Sequence, residues 1–252
     1  ARRKDAFISD SGSLTLVGVA IGVATLIVVM SVMNGFRGEL LDKILGLNGH
    51  FTAYPIESQF TDYKDTVQKI ETVDGVSFAV YFVEGQVLAN FNGASAGVTV
   101  RGMDEENLKK LSILYNGAEQ GGFDQVVHRR GTANGDRRAQ TLGVGIGDEV
   151  ELINPGGSMT PFGKTPQIRS YPVNAIFNVG MVEFDSLFIY MPLGVAQDYF
   201  KMVDQVLKPG AGPLDPLASD AEIDAAYERA PRASGAEIFI QDPDAVHLMR
   251  GR

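Results

Sequence analysis

SLTLVGVAIGVATLIVVMSVMNGF, residues Ser13 to Phe36, lies in a gap between Asp10 and Arg37 that holds no charged side chain. Wound as a helix at about 1.5 Å per residue, that gap spans roughly 39 Å, more than the ~30 Å hydrocarbon core of a bilayer. Between Leu14 and Met33 every residue is apolar except Gly, Thr and Ser. The stretch reads as a transmembrane helix, residues 13–36, preceded by a short N-terminal segment, residues 1–12. Arg2, Arg3 and Lys4 stand before it, so the positive-inside rule places the N-terminus in the cytoplasm and the bulk of the chain outside. A cleaved signal peptide would have a shorter apolar core and a small-residue cleavage site. Here SVMNGFRGELL follows, which continues as helix. A twin-arginine signal fits poorly, because Asp5 stands where that signal turns apolar.

Gly18 and Gly22 form a G-x-x-x-G step, which Ala20 with Ala24 and Ser31 with Gly35 repeat as small-x-x-x-small spacing. Small residues four apart let a second helix approach closely in lipid. The helix is therefore expected to pack against another rather than serve only as an anchor. Beyond it, Phe36, Leu40, Ile44 and Leu47 fall on one face of a 3.6-residue period. An amphipathic stalk over residues 37–49, ended at Asn48-Gly49, is expected.

Residues 50–252 remain for an extramembrane domain. The net charge of −9 is spread along the chain, with no basic tract for nucleic acid, and cysteine is absent, which excludes disulfides and thiolate metal sites. Strands are expected at His50–Pro55, Val76–Phe91, Glu149–Asn154, Ile168–Val179, Val182–Pro192 and Ala236–Gln241. Helices are expected at Thr61–Val73, with Thr61 as N-cap, at Leu193–Phe200 after Pro192, and at Asp220–Ala230. Asn92-Gly93 between apolar runs signals a tight hairpin, and Asp104 is placed to cap a helix to Leu111. Residues 121–147 show no clear pattern, and LKPGAGPLDPLASD (Leu207–Asp220) has a linker's composition. The elements intermix without βαβ alternation, so the class is α+β. PGGSMTPFGKTPQ (Pro155–Gln167) carries three prolines and three glycines. It is expected as a long loop at the tip of a hairpin, showing Met159 and Phe162 to solvent as a partner hook.

Catalytic patterns are missing. His50, His128 and His247 have no metal-binding spacing. GVGIG (Gly143–Gly147) leads into a strand and lacks dinucleotide-loop spacing. Asp148 with Glu149, and Glu183 with Asp185, read as ordinary charges, and Arg129-Arg130 and Arg137-Arg138 as solvated loop residues. Neither a cofactor nor a metal is expected, and no enzyme activity.

SVMNGFRGELLDKILGLNGH (Ser31–His50), after the glycine-rich apolar helix, together with Leu142–Phe200, resembles the permease subunits of the bacterial lipoprotein-releasing ABC transporter. These form the LolC/LolE family, with a MacB-like periplasmic core domain. The resemblance implies four membrane helices, of which this chain would hold the first, with the others expected beyond Arg252. It implies a second permease subunit, homo- or heterodimeric, and a separate ATPase subunit, which accounts for the missing phosphate loop. It further implies a bacterial inner-membrane complex that passes lipoproteins to a periplasmic chaperone. The chaperone hook would comprise Pro155, Met159, Thr160, Pro161, Phe162, Gly163 and Pro166, and lipoprotein would touch Met30, Met33 and Phe36. The stretch 201–235 is longer than the family pattern leads one to expect. Two alternatives remain open: a MacB-like exporter of another substrate, and a signal-anchored periplasmic binding or sensing module.

Overall fold

The computed structural model describes residues 2–55, 60–160, 163–207 and 227–240. It divides into two compact units, Ala1–Leu45 and Gly46–Arg252. The first unit is helical. Helix α1 is Arg2–Leu47, and within it Thr15–Gly38 is long and apolar enough to cross a membrane, with none of that stretch buried by protein. The helix ends one residue before Asn48-Gly49, as the C-terminal signal predicts.

The second unit is a mixed sheet covered by short helices. Its elements are β1 (Phe51–Ala53), α2 (Tyr63–Glu71), β2 (Val76–Phe91), β3 (Ala94–Met103), α3 (Glu105–Lys110), α4 (Ser112–Asn116), β4 (Ala118–Gly121), α5 (Phe123–Arg129), β5 (Thr132–Gly135), α6 (Asp136–Leu142), β6 (Glu149–Thr160), β7 (Gly163–Phe177), α7 (Val182–Leu187), β8 (Phe188–Pro192), α8 (Leu193–Tyr199), β9 (Val203–Leu207), β10 (Tyr227–Pro231) and β11 (Gly235–Ile240). The sheet path runs β1-β11-β2-β3-β8-β5-β7-β4, and β6 pairs with both β2 and β7. Six strands therefore form a closed circuit, β2-β3-β8-β5-β7-β6-β2, with β3–β8 and β5–β7 parallel and the other links antiparallel.

Period-2 alternation along β2 sends Ala79, Tyr81 and Val83 to one apolar cluster and Val80 and Phe82 to another. The first cluster also holds Val98 and Val100 of β3, Val150 and Leu152 of β6, Val173 of β7 and Ile189 of β8, packed with Val67 of α2, Leu142 of α6 and Tyr199 of α8. The second gathers Leu47, Leu108, Leu114, Phe123, Phe177, Phe184 and Tyr190. Both faces are covered by helices, and the fold is α+β with a mixed sheet.

Two local signals held, one at a turn and one at a cap. Asn92 and Gly93 have φ of 46° and 86°, so both central residues are left-handed, and Phe91 pairs with Ala94 across a two-residue loop. That is the type I′ geometry that Asn-Gly favours. Asp104 caps α3, its carboxylate accepting the amide of Asn107 at 2.9 Å.

Four expectations are corrected. Thr61 does not cap α2; the cap position is Asp62, with no side-chain capping bond, and the Thr61 hydroxyl donates to Asp62 Oδ1 at 3.4 Å. Val182–Leu187 is a helix rather than the start of a strand. Phe184 and Asp185 are buried in succession between exposed Glu183 and half-buried Ser186, which a period-2 strand cannot arrange, and the Asp185 carboxylate accepts the amide of Val179 at 2.9 Å. Tyr227–Pro231 is a strand paired with β9 rather than helix, a choice made by a partner strand distant in sequence, Tyr227 facing Leu207 and Pro231 facing Val203; the rest of the expected helix lies outside the described residues. Arg137 and Arg138 sit on α6, not in a loop, and Arg138 is buried, donating to the carbonyl of Gly97 at 3.1 Å. The strand Ala236–Gln241 is β11 as far as Ile240, and the region without pattern, 121–147, turns out to hold α5, β5 and α6.

Gly102 lies where α8 crosses β3, and a Cβ there would collide with the Cβ of Ala196. Gly102→Val is expected to destabilise the domain by about 1–3 kcal/mol or more through overpacking, measured as a lower denaturant midpoint. Gly97→Val, where an added Cβ meets nothing within 4 Å, should leave the midpoint nearly unchanged.

Candidate functional site

The stretch expected as a hook is more ordered than a loop. Strands β6 and β7 stay paired well past the circuit, through Ser158↔Thr165, Met159↔Lys164 and Thr160↔Gly163. Residues 155–160 and 163–167 therefore form a two-stranded ribbon with an irregularity, and the expectation of a long unpaired loop is corrected for them. The prolines do not break it because of where they stand. The register shifts between Asn154 and Ser158, so Pro155, Gly156 and Gly157 bulge opposite Pro166, where the ladder requires no amide from either proline. The Asn154 side chain stabilises the bulge by accepting the amide of Gly156 at 2.9 Å. Gly157 is required by close approach, since a Cβ at that position would overlap the carbonyl of Thr165.

The foot of the ribbon is firmly held. Leu88, Ala89 and Asn90 of β2 pair with Ile153, Leu152 and Glu151 of β6. Asn90 Nδ2 donates to Glu151 Oε2 at 2.7 Å, and its Oδ1 accepts the Ser95 hydroxyl at 2.9 Å. Leu152, one pair along, is fully buried.

Of the residues singled out in sequence, Pro155, Gly163 and Pro166 are solvent-exposed, and Gly163 has φ of 121°, a glycine conformation at the turn. Met159 and Thr160 are in the last paired positions of β6. Pro161 and Phe162 lie outside the described residues. On α1, Met30, Met33 and Phe36 are all about three-fifths exposed, and an added Cβ at Gly18 or Gly22 would meet nothing within 4 Å.

The structure also contains a cluster that sequence reading passed over. Arg101 of β3 is buried and lies between two aromatic rings, its guanidinium carbon 4.7 Å from the Phe82 ring centre and 5.0 Å from that of Phe188. Its Nε and Nη2 donate to Glu84 Oε2 at 2.8 and 2.5 Å, and its Nη1 to Glu237 Oε1 at 3.0 Å. One cation thus serves two carboxylates, one from the adjacent strand β2 and one from β11 beyond it. Burial raises the pKa of Glu237, an effect that Arg101 only partly offsets. Only the apolar neighbours of these residues could have hinted at it, since the three are separated by up to 153 positions in sequence.

Among the described residues the histidines and acidic pairs singled out in sequence stand apart, each with its own local partner. The His50 ring accepts the amide of Ile240 on Nδ1 at 3.3 Å, and burial lowers its pKa. His128 Nδ1 donates to the Asp124 carbonyl at 2.7 Å. Asp148 accepts the amide of Gly145, and the buried Asp185, whose pKa is raised by burial, holds the amide of Val179. Among the described residues no group of three acidic or histidine side chains is placed to hold a metal.

Comparison with known proteins bears on this arrangement. The family model described as MacB-like periplasmic core domain matches residues 13–221. The chain is 29% identical over 187 residues to the lipoprotein-releasing system transmembrane protein LolC of Neisseria meningitidis serogroup B, covering 74% of this chain and 45% of that protein. It is 26% identical over 159 residues to the LolE protein of Haemophilus influenzae, covering 60% of this chain and 38% of that one. The chain thus spans less than half the length of either relative. Among solved structures, the periplasmic region of MacB from Actinobacillus actinomycetemcomitans superposes with a TM-score of 0.42 at 12% identity, over 81% of this chain and 80% of that one.

If the bulge glycine sets the ribbon's register, Gly157→Val will unpair its outer part. Amide exchange at Ser158 and Thr165 should then quicken by at least tenfold, the loss of about 1.4 kcal/mol of protection, while amides of Leu152 and Ala89 at the foot stay protected.

Proposed function

The chain belongs to the MacB-like periplasmic core domain family, and from that membership we propose that it is the N-terminal part of a permease subunit for lipoprotein release. In this reading Arg2–Lys4 lie in the cytoplasm, Thr15–Gly38 crosses the inner membrane, and residues 50–252 form the periplasmic domain. A separate ATPase subunit supplies energy, and a second permease subunit, a copy or a relative, packs on the Gly18–Gly22 face. The subunit itself makes and breaks no covalent bond.

The observation that carries the proposal is the ribbon. Its outer pairs, Ser158↔Thr165 to Thr160↔Gly163, rest on no other strand among the described residues. Its foot, by contrast, is locked by the Asn90–Glu151 bond and the buried Leu152. A stiff arm with a short apolar tip is a device for holding a protein partner at modest entropic cost, because little freedom is left to lose on binding. We assign the partner as the periplasmic chaperone that receives lipoproteins, and the contact residues as Pro155, Met159, Thr160, Pro161, Phe162, Gly163 and Pro166. The similarity to LolC and LolE proteins supports that choice of partner. The exposed Met30, Met33 and Phe36 at the outer end of the apolar helix offer flexible or large side chains for lipoprotein acyl chains.

The full chain in detergent, incubated with the chaperone, should retain it on an affinity column. Phe162→Asp should abolish that retention by placing a charge where an apolar contact forms, with no change in the domain's denaturant midpoint. Failure of the folded wild type to bind would overturn the hook assignment and favour an exporter of another substrate or an anchored sensing module. A photo-crosslinking residue at position 36 should capture lipoprotein in membranes holding the assembled transporter; capture of phospholipid alone would remove Phe36 from the pathway.

A further inference from the structure

Strand pairing sets two rows of side chains side by side on the face of the circuit that turns away from the first apolar cluster. Val87 and Ala89 belong to that cluster, so Leu88 and Asn90, alternating with them, face the other way. Cross-strand partners share a face. One row is therefore Ser95, Asn90, Glu151 and Ser170, from β3, β2, β6 and β7. It is polar, and the Ser95–Asn90 and Asn90–Glu151 hydrogen bonds run along it. The next row is Gly97, Leu88, Ile153 and Ile168, from the same four strands. It is wholly apolar and spans about 14 Å at the usual strand spacing. Leu88 is 39% exposed and Ile168 is 59% exposed.

Beside this row lies a groove of about 490 Å³. Gly97 makes its trough, because a Cβ added there would meet nothing within 4 Å. Leu187, the exposed last residue of α7, and Pro155, on the bulge of the ribbon, both line it. The paired Gln86 and Thr99 border it on the side away from the Asn90–Glu151 row. None of its eight lining residues is charged. Single exposed aliphatic side chains are ordinary on a protein surface. Three in register on adjacent strands, with polar side chains along both borders, make a strip with a direction.

We propose that this strip receives an acyl chain of the lipoprotein as it passes to the chaperone. The inference rests on the permease reading above and adds to it a place on the domain itself. A strip one side chain wide matches a linear alkyl chain, which requires apolar contact and no hydrogen bond. A protein partner fits poorly, since eight residues fall well short of the roughly 20–30 a side that a stable interface uses. A charged head group finds no counter-ion among the lining residues. The strip is exposed rather than closed over, so it holds a chain weakly, as a site of passage must. It also ends at the foot of the arm, where Ile168 pairs with Ile153 and Pro155 begins the bulge. A chain lying along it is thereby led towards the partner that the arm holds.

The test uses vesicles holding the assembled transporter and ATP, loaded with lipoprotein whose acyl chains carry a photoactivatable diazirine. Labelled positions are mapped by mass spectrometry. Labels should fall on Leu88, Ile168 and Leu187. Gly97→Val fills the trough with the denaturant midpoint nearly unchanged, and it should lose those labels while Phe36 labelling and chaperone retention stay as in wild type. Label at Phe36 with none on the wild-type strip would overturn the inference and leave the permease reading standing. No label at either place, with no chaperone retained, would bring down both. Strip labelling that survives Gly97→Val also overturns the inference. So does loss of chaperone retention in that variant, which would make the strip part of the arm's own contact. In a second arm the diazirine is carried by phospholipid instead; equal labelling of the strip there would mean a general lipid contact and sink the assignment to lipoprotein.

Discussion

The domain depends on one strand pairing with two partners. β6 joins β7 along one edge and, through only Glu151, Leu152 and Ile153, joins β2 along the other. Without the second contact the strands would form an open sheet with β6 on its border. With it, six strands close on themselves, and unpaired backbone groups along those edges are satisfied internally. The same three residues form the foot of the ribbon. Closure of the circuit and rigidity of the arm are thus one structural fact, and Asn90 serves both by binding Glu151 across the seam.

Around that circuit the protein accepts an electrostatic cost. Arg101 is buried between Phe82 and Phe188 and shared by two glutamates. A buried guanidinium retains its charge, and the aromatic faces and Glu84 help it do so. The second carboxylate exceeds what that charge balances. Apolar residues of similar size at such positions are often as stable or more so, so the triad is poorly explained by stability alone. It joins the hairpin β2–β3 to strand β11 beside Gly49.

Legibility in sequence followed the range of the deciding interaction. Asn92-Gly93 and Asp104 were read correctly because their turn and cap are set within four residues. Helix α8 was also placed correctly, from the proline that opens it. Val182–Leu187 and Tyr227–Pro231 were misread because tertiary packing overrode local pattern: burial of Phe184 in the second apolar cluster in the first case and a partner strand in the second. The composition of Pro155–Gln167 correctly marked an unusual segment. It hid the ribbon, since prolines exclude a regular ladder but not one with a bulge at the proline positions.

By itself the sequence determined that one helix is apolar enough to cross a bilayer, that the remainder is an α+β domain, and that no nucleophile, metal cluster or phosphate loop is spelled out in it. These follow from composition and short-range pattern, which act through desolvation and local backbone preference. Only the tertiary structure decided that β6 closes the circuit, that the proline-rich segment is a paired arm, and that Glu84, Arg101 and Glu237 meet. Each of those outcomes joins residues 60 or more positions apart or depends on which strand lies beside which. Such pairings are selected by the burial and hydrogen bonding of the whole fold at once, and no local window of sequence contains that information.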